Sequence, residues 1–138
     1  MKPIVLDASA LVEYLLRTPR SLTLIPWIEA ETHDLHIPAL GDVEFASGIV
    51  RLLVRELISE QRAAEALEDL IDLPLSRHGH LALLPRAISL RSNFSVYDAI
   101  YVALAERLDA TLITADEKLA GAVARHTTVQ TAPASSGA

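Results

Sequence analysis

Residues 95–106 read Ser95-Val-Tyr-Asp98-Ala-Ile-Tyr-Val-Ala-Leu-Ala-Glu106, and this stretch decides how the chain is put together. Ser95 offers a side-chain oxygen for a helix N-cap, and Asp98 stands three residues later in capping-box position. Val96, Ile100, Ala103 and Leu104 recur at helical spacing, with no Gly or Pro among them. The spacing predicts a helix to about Leu108–Asp109 with one face buried. The apolar run Thr111–Thr114 follows at once and has the length of a short buried strand. Asp98 falls in the first helical turn, beside the positive end of the helix dipole. Taken alone it is a capping acid. Its further interest comes from acids placed in the same way elsewhere.

Working outward, Pro3–Asp7 reads as a buried strand ending in an acid, and a helix over 8–17 follows directly, with Leu11, Leu15 and Leu16 on its apolar face. A helix over 21–31 carries the only tryptophan, Trp27, and Pro26 limits or bends it. Asp34–Pro38 is a short strand. Leu40–Ile58 is a long helix whose expected core face is Val43, Ala46, Val50, Leu53, Val54 and Leu57; Glu44 lies one position off that face. Gly41 and Gly48 weaken this helix locally. Residues 60–72 are amphipathic with an acidic, solvated side. Leu73–Leu75 marks a third strand or its approach, and 76–80 a polar break. Helices over 81–91 and from Asp116 onward follow, then a last strand at Thr127–Gln130. The alternation predicts an α/β fold with a short, mainly parallel sheet covered on both faces. The body is read as a single domain over 1–130, and 131–138 has the composition of a disordered tail.

Composition narrows the function. Of 138 residues, 51% are hydrophobic and 22% charged, which is globular rather than disordered. Mean hydropathy is +0.30, a hint of apolar surface left for a partner. There is no cysteine, so disulfides, thiolate metal sites and a cysteine nucleophile are excluded, and a reducing cytoplasm is the expected location. Asp7 interrupts the first apolar run too early for a signal peptide, and no stretch has the length of a membrane helix. At net charge −6 the chain is a poor passive binder of nucleic acid. Work on a polyanion would require a local metal cation.

In a parallel sheet, strand C-terminal ends and the helix starts that follow them share one edge, where the functional crevice lies. Asp7 ends the first strand, Asp116 lies just past the Thr111–Thr114 strand, Asp98 opens a helix, and Glu44 follows soon after Pro38 closes the second strand. Each has a local alternative: Asp7 and Asp116 as N-caps, Asp98 as partner to Ser95, Glu44 as partner to Arg51. As a set they would repel in a partly buried site. A hard divalent cation offsets that repulsion, and all-oxygen donors favour Mg²⁺ or Mn²⁺.

Four stretches then carry a resemblance: Val5–Val12, Pro38–Glu44, Ser95–Glu106 and Leu112–Ala120. Together they resemble the PIN-domain ribonucleases, specifically VapC-type toxins of toxin–antitoxin pairs, over Ile4 to about Gln130. The resemblance implies a three-layer α/β/α sandwich and metal-dependent endonucleolytic cleavage of RNA. It implies an acidic site of Asp7, Glu44, Asp98 and Asp116, with Asp7 and Asp98 as the principal Mg²⁺ or Mn²⁺ ligands. The other two acids would act directly or through water. Ser9 and Thr114 would support them by hydrogen bonds. The implied partners are an RNA substrate and a cognate antitoxin, with a homodimer and a toxin–antitoxin hetero-oligomer as assemblies. The first two helices are the expected docking surface. One departure is Ser47, where many relatives carry Asn three residues after the glutamate.

Arg77, His78, His80, Arg86 and Arg91 are candidate RNA phosphate contacts; His78 and His80 as a metal pair find no third ligand at suitable spacing. Tyr101 is read as core and Tyr97 as near the site edge. Other classes fit less well. A phosphoacceptor domain needs adjacent acids after the first strand and a late lysine, and Asp7 is followed by Ala8. A phosphatase with an Asp-x-Asp nucleophile would find Ser9 at the second acid. A PIN-like RNA-binding module without catalysis is the remaining alternative, and the presence of all four acids speaks against it.

Overall fold

In the computed structural model, residues 1–133 are described. Five strands form one sheet: β1 Lys2–Leu6, β2 His33–Pro38, β3 Leu75–His78, β4 Thr111–Ile113 and β5 Thr131–Ala132. Their order is β3-β2-β1-β4-β5, and every neighbouring pair is parallel. Seven helices accompany them among the described residues: α1 Ala8–Leu15, α2 Ile25–Ile28, α3 Leu40–Val54, α4 Glu60–Asp72, α5 Leu84–Ser89, α6 Val96–Leu108 and α7 Glu117–His126. Strands buried on both faces suit the continuous apolar runs Ile4–Leu6 and Thr111–Ile113. On one face Ile4, Leu6, Leu35, Ile37 and Ile113 pack with Leu11, Leu15, Phe45, Ile49 and Leu70. On the other, Val5 and Leu112 pack with Leu83, Ala87, Val123 and residues of α6. The result is the expected α/β/α sandwich, with a sheet that is wholly parallel.

α6 forms where the sequence placed it. Ser95 accepts the Asp98 N–H at 3.1 Å, and Asp109 closes the helix at φ 52°. Ala99 to Ala105 are buried without interruption, so α6 is more enclosed than a one-faced amphipathic helix. Asp7 joins β1 to α1. β1 has β2 on one side and β4 on the other, so the strand order reverses between β1 and β4. The carboxyl ends of those two strands frame a crevice.

Several expectations need correction. α3 ends at Val54, not Ile58, with Glu56 at φ 57° beyond it. Its buried residues are Gly41, Phe45, Gly48 and Ile49, whereas Val43, Val50, Val54 and Leu57 of the expected core face are 67%, 54%, 77% and 59% exposed. The physical reason lies in the glycines. A Cβ at Gly48 would stand 3.1 Å from Val12 Cγ2, so the missing side chain lets α1 approach on that side. The helix expected over 21–31 is instead the end of a 3₁₀ turn, Pro19–Thr23, followed by the short α2, because Pro26 lacks the N–H that a continuous helix would need and can stand only in a first turn. Residues 76–78, read as a polar break, belong to β3, an exposed edge strand that tolerates polar side chains. A 3₁₀ turn over Leu81–Leu83 precedes α5, with Pro85 in that helix's first turn. The last strand is Thr131–Ala132 instead of Thr127–Gln130. The expected disordered tail therefore begins with two sheet residues, held by bonds from Leu112 N–H to Gln130 O and Thr114 N–H to Ala132 O. Residues 134–138 of that tail lie outside the described residues. Leu11, Leu15 and Ile28, expected at a docking surface, are 0%, 4% and 5% exposed and belong to the core.

Candidate active site

Three of the acids stand at helix starts, where a capping or dipole role would explain each alone. Asp7 follows β1 and N-caps α1, accepting the Ala10 N–H at 2.9 Å. Asp116 follows β4 and N-caps α7, accepting the Leu119 N–H at 3.1 Å. Asp98 sits in the first turn of α6, and Glu44 in the second turn of α3. What the caps alone would not require is their meeting. Asp7, Glu44, Asp98 and Asp116 line one pocket of about 210 Å³ together with Ser9, Ser47, Arg51 and Tyr101. Three helix starts point their unpaired N–H ends toward this edge, which lessens the cost of gathering negative charge there.

Asp7 is the most enclosed of the four, at 4% exposure. Ser9 Oγ donates to its Oδ1 at 2.7 Å, and Thr114 Oγ1 donates to its Oδ2 in a short bond. Thr114 Oγ1 also accepts the Asp116 N–H at 2.9 Å, and Ser9 Oγ accepts the Ala115 N–H at 3.1 Å. The two hydroxyls thus tie the end of β1 to the turn after β4, as expected of Ser9 and Thr114. A carboxylate can accept about four hydrogen bonds. Asp7 takes three here, two on Oδ1 and one on Oδ2, so Oδ2 keeps capacity for a cation. Burial pushes the Asp7 carboxyl up to about 6, with the Asp116 charge adding to it, against the lowering effect of its three donors. Burial, then the charges of Asp116 and Glu44, raise Asp98 above the ordinary carboxylate range. Mutual repulsion among these acids is what distinguishes a cluster from four separate caps.

Glu44 does not pair with Arg51. It accepts the Tyr101 hydroxyl at 2.6 Å, and Tyr101 is 2% exposed. Burial first and Glu44 second push the Tyr101 phenol upward, so it remains a donor. Sequence reading placed Tyr101 in the core but missed this contact. The available signal was its position one turn after Asp98 on the same helix face. Ser47 lines the pocket, but Glu44 takes its support from α6. Tyr97 is 56% exposed and is not among the lining residues.

The five candidate RNA contacts are not gathered at the pocket. Arg77 makes a two-pronged pair with Asp42 at 2.7 and 3.1 Å, and Arg86 one with Glu106 at 2.8 and 3.0 Å. His78 Nε2 lies 2.8 Å from His36 Nδ1, whose other nitrogen is 2.8 Å from Asp34. The pairing arises because β2 and β3 set residues 36 and 78 on adjacent strands. His80 and Arg91 are exposed, with Arg91 donating to the Ile88 carbonyl.

The donor set fits a hard divalent cation: carboxylates and hydroxyls, with no thiol in the chain. Among the described residues, no three His, Asp or Glu side chains stand close enough together to hold a metal ion as a group. Mg²⁺ does not need such a group, since it keeps several waters and commonly takes one or two carboxylates.

A wholly parallel α/β sandwich with carboxylates at the point where strand order reverses defines an acid-site α/β protein. The PIN domain family model matches residues 4–124. Ribonuclease VapC12 of Mycobacterium tuberculosis is 42% identical over 117 residues, covering 85% of this chain and 89% of the relative. Among solved structures, PAE2754 from Pyrobaculum aerophilum aligns with TM-score 0.68 at 20% identity, over 94% of this chain and 83% of that one. VapBC2 from Rickettsia felis, bound to a DNA fragment from its promoter, aligns with TM-score 0.63 at 15% identity, over 94% and 97%. The chain belongs to the PIN-domain family and, within it, to the VapC ribonucleases.

Proposed function

We propose that this chain is the toxin of a toxin–antitoxin pair, an endoribonuclease that uses Mg²⁺ or Mn²⁺. The observation that carries the reading is the single pocket lined by Asp7, Glu44, Asp98 and Asp116, in which Asp98 is raised by two of the others. Kinship with a ribonuclease over 85% of the chain supports RNA as the substrate. Asp7 and Asp98 would hold the metal, and Glu44 and Asp116 would complete its surroundings directly or through water. When bound, the cation supplies neutralising charge, a more acidic water and stabilisation of charge developing on the phosphate.

The chain's own residues do the positioning. Ser9 and Thr114 hold the Asp7 carboxylate in one orientation, and Tyr101 does the same for Glu44. Asp116, the most exposed of the four acids, is the one best placed to take a proton from a water entering from solvent. The raised Asp7 and Asp98 keep the metal-free site partly protonated in mildly acidic solution, so activity rises with pH through that range.

Structural likeness to VapBC2 from Rickettsia felis supports an antitoxin partner. The exposed α3 stripe of Val43, Val50 and Val54, continuing to Leu57, supports a protein contact, in place of the first two helices. A homodimer, a cytoplasmic location and RNA contacts by His80 and Arg91 belong to the same proposal. No helix among the described residues is long and apolar enough to cross a membrane. The test is to sequence RNA ends after brief expression of the wild type and of Asp98→Asn. New ends present only with the wild type support the reading, and identical end profiles refute it.

A further inference from the structure

Among the described residues, one basic side chain lines the acidic pocket, that of Arg51. It stands on α3 seven residues after Glu44, two helical turns along the same face. Several other arginines are engaged, Arg62 with the Leu15 carbonyl, Arg77 with Asp42 and Arg86 with Glu106, and the arginines that are free like Arg51 do not line the pocket. Among the described residues, the Arg51 guanidinium makes no hydrogen bond or ion pair. The acid nearest to it on its own helix face, Glu44, is taken by Tyr101. A Cβ at Gly48 would lie 3.8 Å from Arg51 Nη2, so the guanidinium folds back over the glycine toward the pocket.

An unpaired guanidinium at the lip of a carboxylate pocket meets a specific need. RNA approaching four carboxylates meets repulsion that one divalent ion, at twice a unit charge, does not cancel. Arginine stays charged at any working pH and presents a planar fork that matches two phosphate oxygens. We propose that Arg51 binds a backbone phosphate of the RNA at the pocket, as the substrate-anchoring residue of the site. This rests on the ribonuclease reading above. Arg51 reaches substrate from α3, so it orients the strand at the carboxylates without joining their metal-holding set.

The experiment uses the full chain with a labelled oligoribonucleotide that the wild type cleaves. Compared are the wild type, Arg51→Ala, Arg51→Lys, Asp98→Asn, and Arg55→Ala, an exposed arginine one turn on that does not line the pocket. The readouts are KM, kcat, the dependence of kcat/KM on salt, melting temperature, and anisotropy binding in the Asp98→Asn background. Arg51→Ala should lower kcat/KM about 10- to 100-fold, chiefly through KM, the effect of losing one charge-assisted bond. It should also reduce the salt slope by about 0.7, one phosphate contact on a single strand. Arg51→Lys should restore the slope and only part of kcat/KM, because the charge returns without the fork. Arg55→Ala should match the wild type. An Arg51→Ala enzyme with wild-type KM and slope overturns the assignment while the nuclease reading stands. So does a fall in kcat and melting temperature with the slope unchanged, or an equal effect of Arg55→Ala. Failure of the wild type to cleave RNA, or cleavage that survives Asp98→Asn, overturns the nuclease reading and the Arg51 assignment with it.

Discussion

Replacing Asp7 by Asn in metal-free protein should stabilise the fold at neutral pH and destabilise it in acid. Asp7 is 4% exposed, and its carboxyl is raised from 3.8 to about 6, chiefly by burial. The folded chain therefore holds the proton more tightly than the unfolded chain, so the group's effect on stability falls as pH rises from about 4 to about 6 and is level above that. The shift corresponds to about 3 kcal/mol between the two ends of the window. Asn carries no charge and no such window. It keeps an oxygen for the Ser9 hydroxyl and the Ala10 N–H but offers Thr114 a donor in place of an acceptor, at a cost of about 1 kcal/mol. The variant should thus be about 1 kcal/mol less stable near pH 4 and about 2 kcal/mol more stable near pH 7. For a chain of this length that is a lead of very roughly 8 °C in melting temperature at pH 7. Saturating Mg²⁺ at about 100 times its Kd returns about 2.7 kcal/mol to whichever protein binds it, which is enough to bring the wild type level or ahead. The assay is thermal melting of both proteins in chelator from pH 4 to 7.5, then with Mg²⁺ or Mn²⁺. A difference between the two proteins that stays constant across that range would refute the reasoning.

Three further outcomes are expected. Tyr101→Phe removes the hydroxyl from Glu44 without changing the shape of the core, and should lower activity or Mn²⁺ affinity about 10- to 100-fold, read by calorimetric titration. An unchanged Mn²⁺ affinity and rate would remove Tyr101 from the site. Val54→Glu lies on the exposed side of α3 and should shift monomer stability by less than about 0.5 kcal/mol while weakening dimer or antitoxin association, read by light scattering and pull-down with the co-expressed partner. Ile49→Ala, on the buried side of the same helix, should cost about 2–5 kcal/mol in denaturant unfolding; a smaller cost than that of Val54→Glu would mean the helix is rotated from its described setting.

Asp7, Asp98 and Asp116 were legible because each obeys a local rule, whereas Glu44, in the second turn of an uncapped helix, has none. A strand ending in an acid before a helix, as at Asp7 and Asp116, or an acid in a capped first turn, as at Asp98, can be read within a few residues. Parallel topology then brings them to one edge whatever their separation. The Glu44–Tyr101 bond was not legible, because it joins residues 57 apart and depends on how α3 and α6 meet. α3 failed for a different reason. Its sequence carries two stripes, one of Val43, Val50 and Val54 and one of Gly41, Phe45, Gly48 and Ile49. The first stripe is the more apolar, and the second holds both glycines. Close packing prefers the stripe with gaps, since Val12 needs the space at Gly48. The shift of β5 to Thr131–Ala132 has no comparable signal, because two residues show no alternation. The pairing of His36 with His78 required the register of β2 against β3, which no local pattern supplies.

The claim that the carboxylate pocket is a divalent-metal site for RNA hydrolysis is tested most directly by cleavage of purified RNA under controlled metal. Wild type and Asp98→Asn are each stripped with EDTA, assayed, and assayed again after Mg²⁺ or Mn²⁺ is restored in excess of the chelator. The wild type should be silent when stripped and recover with metal, while Asp98→Asn should stay at least about a hundredfold slower in both states, the scale set by removing one group that stabilises transition-state charge. Cleavage by the exhaustively stripped wild type, or recovery of Asp98→Asn to the wild-type rate, would contradict the account.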